Sequence, residues 1–471
     1  MKQLLYTLFA ILLCACADIL EEKPQAIAVE TFYNSAGEVE AGIAAIYSPL
    51  RSGSAFGAIY PALLDISSDM LLSGRASWAP ASKFEGLNGT AITRAQGVWG
   101  QFYLSIRNAN LIIQNIPNSS KLNDADKNKY IGEAKFMRAF VYFQLVRCWG
   151  AVPLRTEANF SELSVPRSPV EEIYKQIISD LEFSEANLPE TVPVAGHPTK
   201  YSAKSLLADA YFHSGNNQKA AEKSQEVIKS GKYSLVEVTV ANDFEKLFGS
   251  NITTSTEEIF YLKYSEKSYW EYPIYMHGVG SPHLGIDGYF VHYSNKDYIS
   301  YKNWDNNDLR KVYGWYLYSG FDPGTILCKK FNDPGSKTPK NDYPLYRYAD
   351  CLLIYAEASC RASGSPTVDG MEALNKVHRR AYGYPSAQPS PVDYILANFT
   401  KDSFIETCIK ERGYETIGEG KRWLDLKRTG KAAEYIKATR GLVVQEKHYL
   451  WPIPVSELNY NDAITDQNPG Y

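Results

Sequence analysis

The 471-residue chain is poor in cysteine, histidine and methionine, with seven, seven and five of each. No two cysteines stand at C-x-x-C spacing, which excludes a zinc ribbon or a dithiol redox site. Setting aside Cys14 and Cys16 in an N-terminal leader leaves Cys148, Cys328, Cys351, Cys360 and Cys408. That number is odd and too small for a disulfide scaffold, so these thiols are expected to be small, buried and mostly unpaired. The histidines (His197, His213, His277, His283, His292, His378, His448) show no metal-ligand spacing, although His277 and His283 share one segment. Charge of neither sign is in excess: 49 Lys and Arg face 53 Asp and Glu, a net of −4, which gives no basic footprint for nucleic acid. H-E-x-x-H and G-x-S-x-G are absent, and Gly420-Lys421 is followed by Arg422 rather than the Ser or Thr of a phosphate-binding loop. After the leader no run approaches 18 continuous apolar residues, so no membrane-spanning helix is expected.

The leader itself is informative. Lys2 precedes an apolar run from Leu4 to Leu13, half the length a bilayer-spanning helix needs, which reads as the core of a signal peptide over residues 1–15. Leu13-Cys14-Ala15-Cys16 puts a small residue before a cysteine, as in a bacterial lipobox, where that cysteine is diacylated and becomes the new N-terminus. Two acyl chains give stable anchoring where one is marginal. Cleavage after Ala15-Cys16-Ala17, releasing an unlipidated chain, is the alternative; Asp18, Glu21 and Glu22 favour the anchor, because they read as the start of a solvated tether. Residues 16–51 are then a lipidated N-terminus with a first helix.

Two things are abundant, aromatic rings and helical periodicity. The 35 Tyr, 19 Phe and 8 Trp make 13% of the chain, and 21 of these 62 rings lie within residues 260–346. That segment is dotted with Gly, Pro, Asn and Asp, so it reads as turns and short strands, as does a Gly-, Ser- and Pro-rich stretch from Ser52 to Gly97. Between them Phe136, Ala139, Phe140 and Phe143 recur at steps of three and four. Residues 202–229 read as two helices around Gly215-Asn216-Asn217. Their Leu207-Ala208-x-x-Tyr211 and Ala220 match the small-residue and Tyr spacing of a tetratricopeptide hairpin, while Lys204 and Ser224 depart from it. Ala139 to Tyr142 repeats the small-x-x-Tyr spacing, and Leu352 to Ala358 with Ala373 to Val377 forms a looser pair.

Ordered blocks extend this pattern to the C-terminus. They include Gly132-Glu133-Ala134-Lys135-Phe136-Met137-Arg138-Ala139-Phe140 running to Trp149-Gly150-Ala151-Val152-Pro153-Leu154, and Ser230-Gly231-Lys232-Tyr233-Ser234-Leu235. Leu345-Tyr346-Arg347-Tyr348-Ala349-Asp350, Glu411-Arg412-Gly413-Tyr414-Glu415 and Glu419-Gly420-Lys421-Arg422-Trp423-Leu424-Asp425-Leu426-Lys427-Arg428 follow, then Leu450-Trp451-Pro452-Ile453-Pro454 and Gln467-Asn468-Pro469-Gly470-Tyr471. Together they resemble the SusD/RagB family of glycan-binding outer-membrane lipoproteins. The resemblance implies a mostly α protein: a tetratricopeptide-like superhelix of four helix pairs, with a large irregular loop-rich half containing short strands. It implies one composite domain, divided as 52–259 (N-terminal part with tetratricopeptide-like helices), 260–346 (ligand-binding loops) and 347–471 (C-terminal helical part). It also implies localisation at the cell surface through the Cys16 lipid, a SusC-like TonB-dependent transporter as partner, and capture of an oligosaccharide or polysaccharide for import without cleavage. A peptide-binding lipoprotein serving a peptide transporter is the second reading. No cofactor is implied, and a structural calcium ion held by loop carboxylates is compatible with the sequence.

The charged block Glu411, Arg412, Glu419, Arg422, Asp425 and Arg428 alternates in sign at helical spacing, with Arg422 to Asp425 and Asp425 to Arg428 three apart. It reads as a structural ion-pair lattice rather than a catalytic carboxylate cluster. The expected ligand surface is aromatic, since a sugar stacks its C–H face on a flat ring while amides, carboxylates and Arg take its hydroxyls. Trp78, beside Arg75 and near Asn88, is the strongest candidate because nothing around it is periodic. Trp270, Tyr289, Trp304 and Trp315 follow from the aromatic segment, whereas Trp99 and Trp423 sit in helical blocks and belong to the core.

Overall fold

The computed structural model describes residues 32–75, 77–87 and 89–471. The signal peptide, Cys16 and Asn88 lie outside the described residues. Four antiparallel helix pairs stack side by side in chain order, a tetratricopeptide-like array. They are α1 (Ala36–Arg51) with α3 (Thr90–Asn115), α4 (Asp124–Trp149) with α5 (Val170–Asn187), α6 (Lys200–His213) with α7 (Asn217–Lys229), and α9 (Tyr348–Ser363) with α10 (Val368–Ala381). Two long excursions leave this array. One carries α2 (Ile59–Ile66) between the helices of the first pair; the other, residues 230–347, separates the third pair from the fourth and carries α8 (Tyr272–Met276). After the fourth pair come α11 (Lys401–Glu415), α12 (Arg422–Arg428) and α13 (Ala432–Arg440).

The third pair shows why the sequence folds this way. Thr199 caps α6 by accepting from Ser202 N, and Asn216 caps α7 by accepting from Lys219 N. Gly215 between them sits at φ +84°, where a side chain is strained. Ala208 and Ala220 are fully buried at the crossing and Tyr211 fills the space beside them. By contrast α4 has no polar face beyond Tyr130: from there to Trp149 only Lys135 and Arg147 are other than buried. Its Phe136, Ala139, Phe140 and Phe143 stripe is one side of a helix surrounded by protein. The polar residues so enclosed are paired, Arg138 with Asp180 at 2.8 Å and Gln144 with Tyr60 at 3.0 Å.

Among the described residues strands are few and short, all but one pair of them in the second excursion. β1 (Val152–Pro153) pairs with β2 (Arg167–Ser168) and β3 (Glu258–Leu262) with β7 (Tyr343–Arg347), both antiparallel. β4 (Ser294–Asn295), β5 (Trp315–Leu317) and β6 (Thr325–Cys328) form a three-stranded sheet in the order β4-β6-β5. The first excursion is less irregular than its composition suggests. Seven of the eight α2 residues are buried, so its run of Ile, Leu, Tyr and Pro lacks the polar face that makes a helix visible in sequence.

The charged block is an ion-pair lattice that fastens the excursion to the helices. Fully buried Arg347 at the end of β7 donates to Glu415 (2.8 Å) and Glu419 (2.6 Å), and Arg380 joins Glu415 to Glu257. Arg310 bridges Asp308 (2.6 Å) and Glu411 (2.9 Å), and Lys330 reaches Glu419 (2.6 Å). Burial would raise the Glu415 carboxyl, but Arg380, Arg347 and Arg310 outweigh it and hold Glu415 at about 2. The expected Arg422 to Asp425 pair is not formed. Arg422 turns to Asp69 in the first excursion (2.8 and 3.0 Å), while Asp425 takes Arg412 at 3.0 Å and Arg428 at 3.6 Å. Cys148, Cys328, Cys351, Cys360 and Cys408 are all buried and unpaired, and Trp99 and Trp423 are core residues, as expected.

Candidate functional site

The two excursions meet. Leu72 and Tyr293 form an isolated antiparallel bridge, with amide-to-carbonyl distances of 2.9 and 3.0 Å in the two directions. From this seam the first excursion turns at Arg75, whose carbonyl accepts from Trp78 N and Ala79 N, both at 2.8 Å. Arg440 on α13 pins its base by donating to the carbonyls of Ile66 and Ser68 and to Ser82 Oγ. On the other side, α8 and the chain after it pair with residues 289–292: Tyr289 N to Ile274 O (2.7 Å), Phe290 N to His277 O (2.8 Å) and His292 N to Tyr275 O (3.1 Å). Gly288 is required here, since a Cβ would lie 1.9 Å from the His277 carbonyl oxygen.

These turns assemble an aromatic platform. Tyr289, 55% exposed, leans on half-buried Tyr275 at 5.8 Å, and Tyr275 meets the edge of Trp78 at 5.9 Å. Beside them the Arg75 guanidinium lies 4.6 Å over Phe290, which contacts Tyr318 and Phe321 at 5.3 Å each; Phe321 in turn meets Tyr293 at 5.2 Å. Exposed Arg75, Tyr289 and Phe321 thus lie on adjoining turns backed by buried rings, Tyr289 joined to the Arg75 group through its chain neighbour Phe290. The histidines beneath are structural: burial pushes His277 down to about 3 and His292 to about 4, so both are neutral at pH 7. Such a surface offers flat C–H-binding faces and phenol hydroxyls, with a guanidinium at its edge.

The sequence-predicted residues divide sharply. Arg75, Trp78 and Tyr289 come together, but Trp78 is a support rather than a stacking face. It is 5% exposed, with the Arg94 guanidinium 3.7 Å over its ring, and Arg94 is itself held by Ser77. Trp270, Trp304 and Trp315 are core residues and correct the expectation that they face a ligand. Trp270 is fully buried, and its Nε1 donates to Phe56 O at 3.1 Å. Trp304 stacks on Tyr414 at 4.0 Å, nearly parallel, and donates to Asp308 at 2.8 Å. Trp315 lies buried in β5 against Tyr301. Phe56 O beneath Trp270 and the Tyr414 ring against Trp304 come from distant parts of the chain, which local composition cannot reveal. Tyr275, Phe290, Phe321 and Arg94 escaped sequence reasoning, which favoured Trp over the more numerous Tyr and Phe. Among the described residues no group of three or more His, Cys, Asp or Glu is arranged to hold a metal.

Asp65, pushed up to about 7 mainly by burial, is 2% exposed and accepts from the Tyr272 hydroxyl beneath the platform, out of a ligand's reach.

Residues 205–471 match the model of the SusD family, and residues 20–212 match a model described as starch-binding associating with outer membrane. A SusD-like protein of Formosa agariphila, P2, is 28% identical with both chains covered in full. The starch-binding protein SusD of Bacteroides thetaiotaomicron is 28% identical over 32% of this chain and 27% of its own. Among solved structures, a SusD homologue from Bacteroides thetaiotaomicron superposes with a TM-score of 0.82 at 20% identity, covering 96% of this chain and 100% of its own. With a family model matching more than half of the chain, its helix-pair array shared and an aromatic platform where its two excursions join, the chain belongs to the SusD family, whose members are glycan-binding and associated with the outer membrane.

Proposed function

We propose that this protein is a cell-surface lipoprotein, anchored through Cys16, that captures an oligosaccharide or polysaccharide on the Tyr289, Tyr275, Phe321 and Arg75 platform. It hands the glycan, uncleaved, to a SusC-like TonB-dependent transporter in the same membrane. The observation that carries the reading is the exposed Tyr289 ring, braced by Tyr275 on hydrogen-bonded turns and followed in the chain by Phe290, which carries the Arg75 guanidinium over its ring. A pyranose laid on Tyr289 gains apolar contact at little entropic cost, because the ring is already held. Its hydroxyls fall within reach of phenol and guanidinium groups, which donate without being consumed. The family's starch-binding, membrane-associated description supports the same direction.

Affinity electrophoresis in gels containing starch, laminarin, xylan or galactomannan tests this. Retardation in at least one gel, relieved by Tyr289→Ala, is the expected result. Wild-type mobility unchanged in every gel, with calorimetric binding of a peptide library instead, would favour the peptide-transporter reading.

A further inference from the structure

A cavity of about 300 Å³ lies between residues 299–303, α11 and α13. It is continuous with the two segments that build the platform. Asp69 and Met70 in its wall precede the Leu72 seam by two or three residues, and Ser300, seven residues beyond Tyr293, ties the two walls by donating to Asp69 O at 3.0 Å. The volume lies at the small end of the roughly 300–1,000 Å³ typical of ligand pockets, the scale of one or two sugar rings.

Its lining carries a specific signal. The Tyr414 ring is mostly buried, and its hydroxyl has no protein hydrogen-bond partner among the described residues without being sealed from solvent, so it is available to a ligand in the cavity. The ring is fixed from behind by the parallel stack on Trp304. Lys410, Asn303 and Thr439 line the same cavity; the Lys410 ammonium lies 5.6 Å over the Tyr414 ring, and Asn303 is exposed to solvent. Met70, Ile299 and Ala438 supply apolar wall, and Tyr435 is held by Glu406 through its hydroxyl and by the Arg422 guanidinium 4.9 Å from its ring. The floor charges Asp69 and Arg422 neutralise each other. Glu406 and Glu434 oppose an anion and Lys410 opposes a cation, whereas a neutral ring with alternating donors, acceptors and C–H faces satisfies all of them.

The geometry points to a second carbohydrate subsite in this cavity, taking a single pyranose unit through Tyr414 Oη, Asn303, Lys410 and Thr439. Its biological use rests on the glycan-capture reading. A chain held at both places gains avidity without a larger platform.

Saturation-transfer NMR with the methyl glycosides of glucose, galactose, mannose, xylose and glucuronate tests the cavity independently of the platform. Three variants serve: Tyr289→Ala on the platform, Ala438→Trp, which fills the cavity from an exposed helix position, and Tyr414→Phe, which keeps the Trp304 stack and removes only the hydroxyl. At least one glycoside is expected to receive saturation from wild type and from Tyr289→Ala but not from Ala438→Trp, with Tyr414→Phe raising Kd about fivefold, as one hydrogen bond predicts. Transfer unaffected by Ala438→Trp, or no transfer from any of the five, overturns the subsite. In the polysaccharide gels, loss of retardation with Ala438→Trp but not Tyr289→Ala would refute the platform and leave this subsite standing.

Discussion

Replacing Tyr289 and replacing Trp270 should damage different properties, although both were aromatic candidates in one segment. Tyr289 is 55% exposed, so its ring contributes little to the folded core and is free to meet a ligand. A sugar laid on that ring removes roughly 80 Å² of apolar surface, worth about 2 kcal/mol at 25 cal/mol per Å², or roughly thirtyfold in Kd. Tyr289→Ala should therefore weaken binding of the retarding glycan by about that factor in calorimetry and leave the melting temperature near wild type. Trp270 is fully buried, packs edge-on to Phe331 at 4.8 Å and donates to Phe56 O. Trp270→Ala removes that packing, at about 3–5 kcal/mol, and leaves the Phe56 carbonyl without its partner, at about 1 kcal/mol more. It should appear as a large loss of stability in scanning calorimetry or as failure to accumulate. A Tyr289→Ala protein that binds like wild type, or a Trp270→Ala protein that melts like wild type, would refute the division between platform and core.

Further outcomes follow from the same contacts. Glu411→Ala leaves Arg310 and His378 short of a buried partner and should cost about 3–5 kcal/mol, read as a lower folded yield with no change in any hydrolytic activity. Because the arginines depress Glu415 to about 2 against its ordinary 4.5, its stabilisation is present above about pH 4.5 and lost as the pH falls toward 2, so acid unfolding in that window is expected by circular dichroism. Asp65 behaves oppositely: its folded pKa of about 7 lies above the ordinary 3.8, so wild type loses stability between about pH 4 and 7, and Asp65→Asn should flatten that part of the melting-temperature profile. Gly288→Ala forces a methyl into the His277 carbonyl and should weaken glycan binding by displacing Tyr289. Labelling with a palmitate analogue should mark wild type and not Cys16→Ala; an unlabelled wild type would refute the anchor.

The helix pairs were legible because their signals are local. Small residues at Ala208 and Ala220, a Tyr three residues after the first and a Gly-Asn turn determine a hairpin whatever surrounds it. The ion-pair lattice was legible in kind, since alternating charge on helices seldom serves chemistry, but not in partner. Arg422 could not be paired with Asp69 from sequence, because 353 residues separate them. The platform was half legible. Aromatic enrichment pointed to the right segment and to Tyr289 and Arg75, but the preference for Trp chose rings that a folded core claims first. Large rings with an N–H are well served by buried carbonyls and carboxylates, as Trp270 and Trp304 show, and their burial depends on distant contacts, Phe56 for Trp270 and the Tyr414 ring for Trp304. Exposure at Tyr289 and Phe321 depends on the hairpin pairing of residues 274–277 with 289–292 and on the seam at Leu72, neither of which composition encodes.

The most direct measurement is a crystal structure of the protein with an oligosaccharide taken from whichever polysaccharide retards it. The account predicts a sugar ring stacked on Tyr289, with hydroxyls near Tyr275 and Arg75. A ligand bound elsewhere while Tyr289, Phe321 and Arg75 stay bare would contradict it.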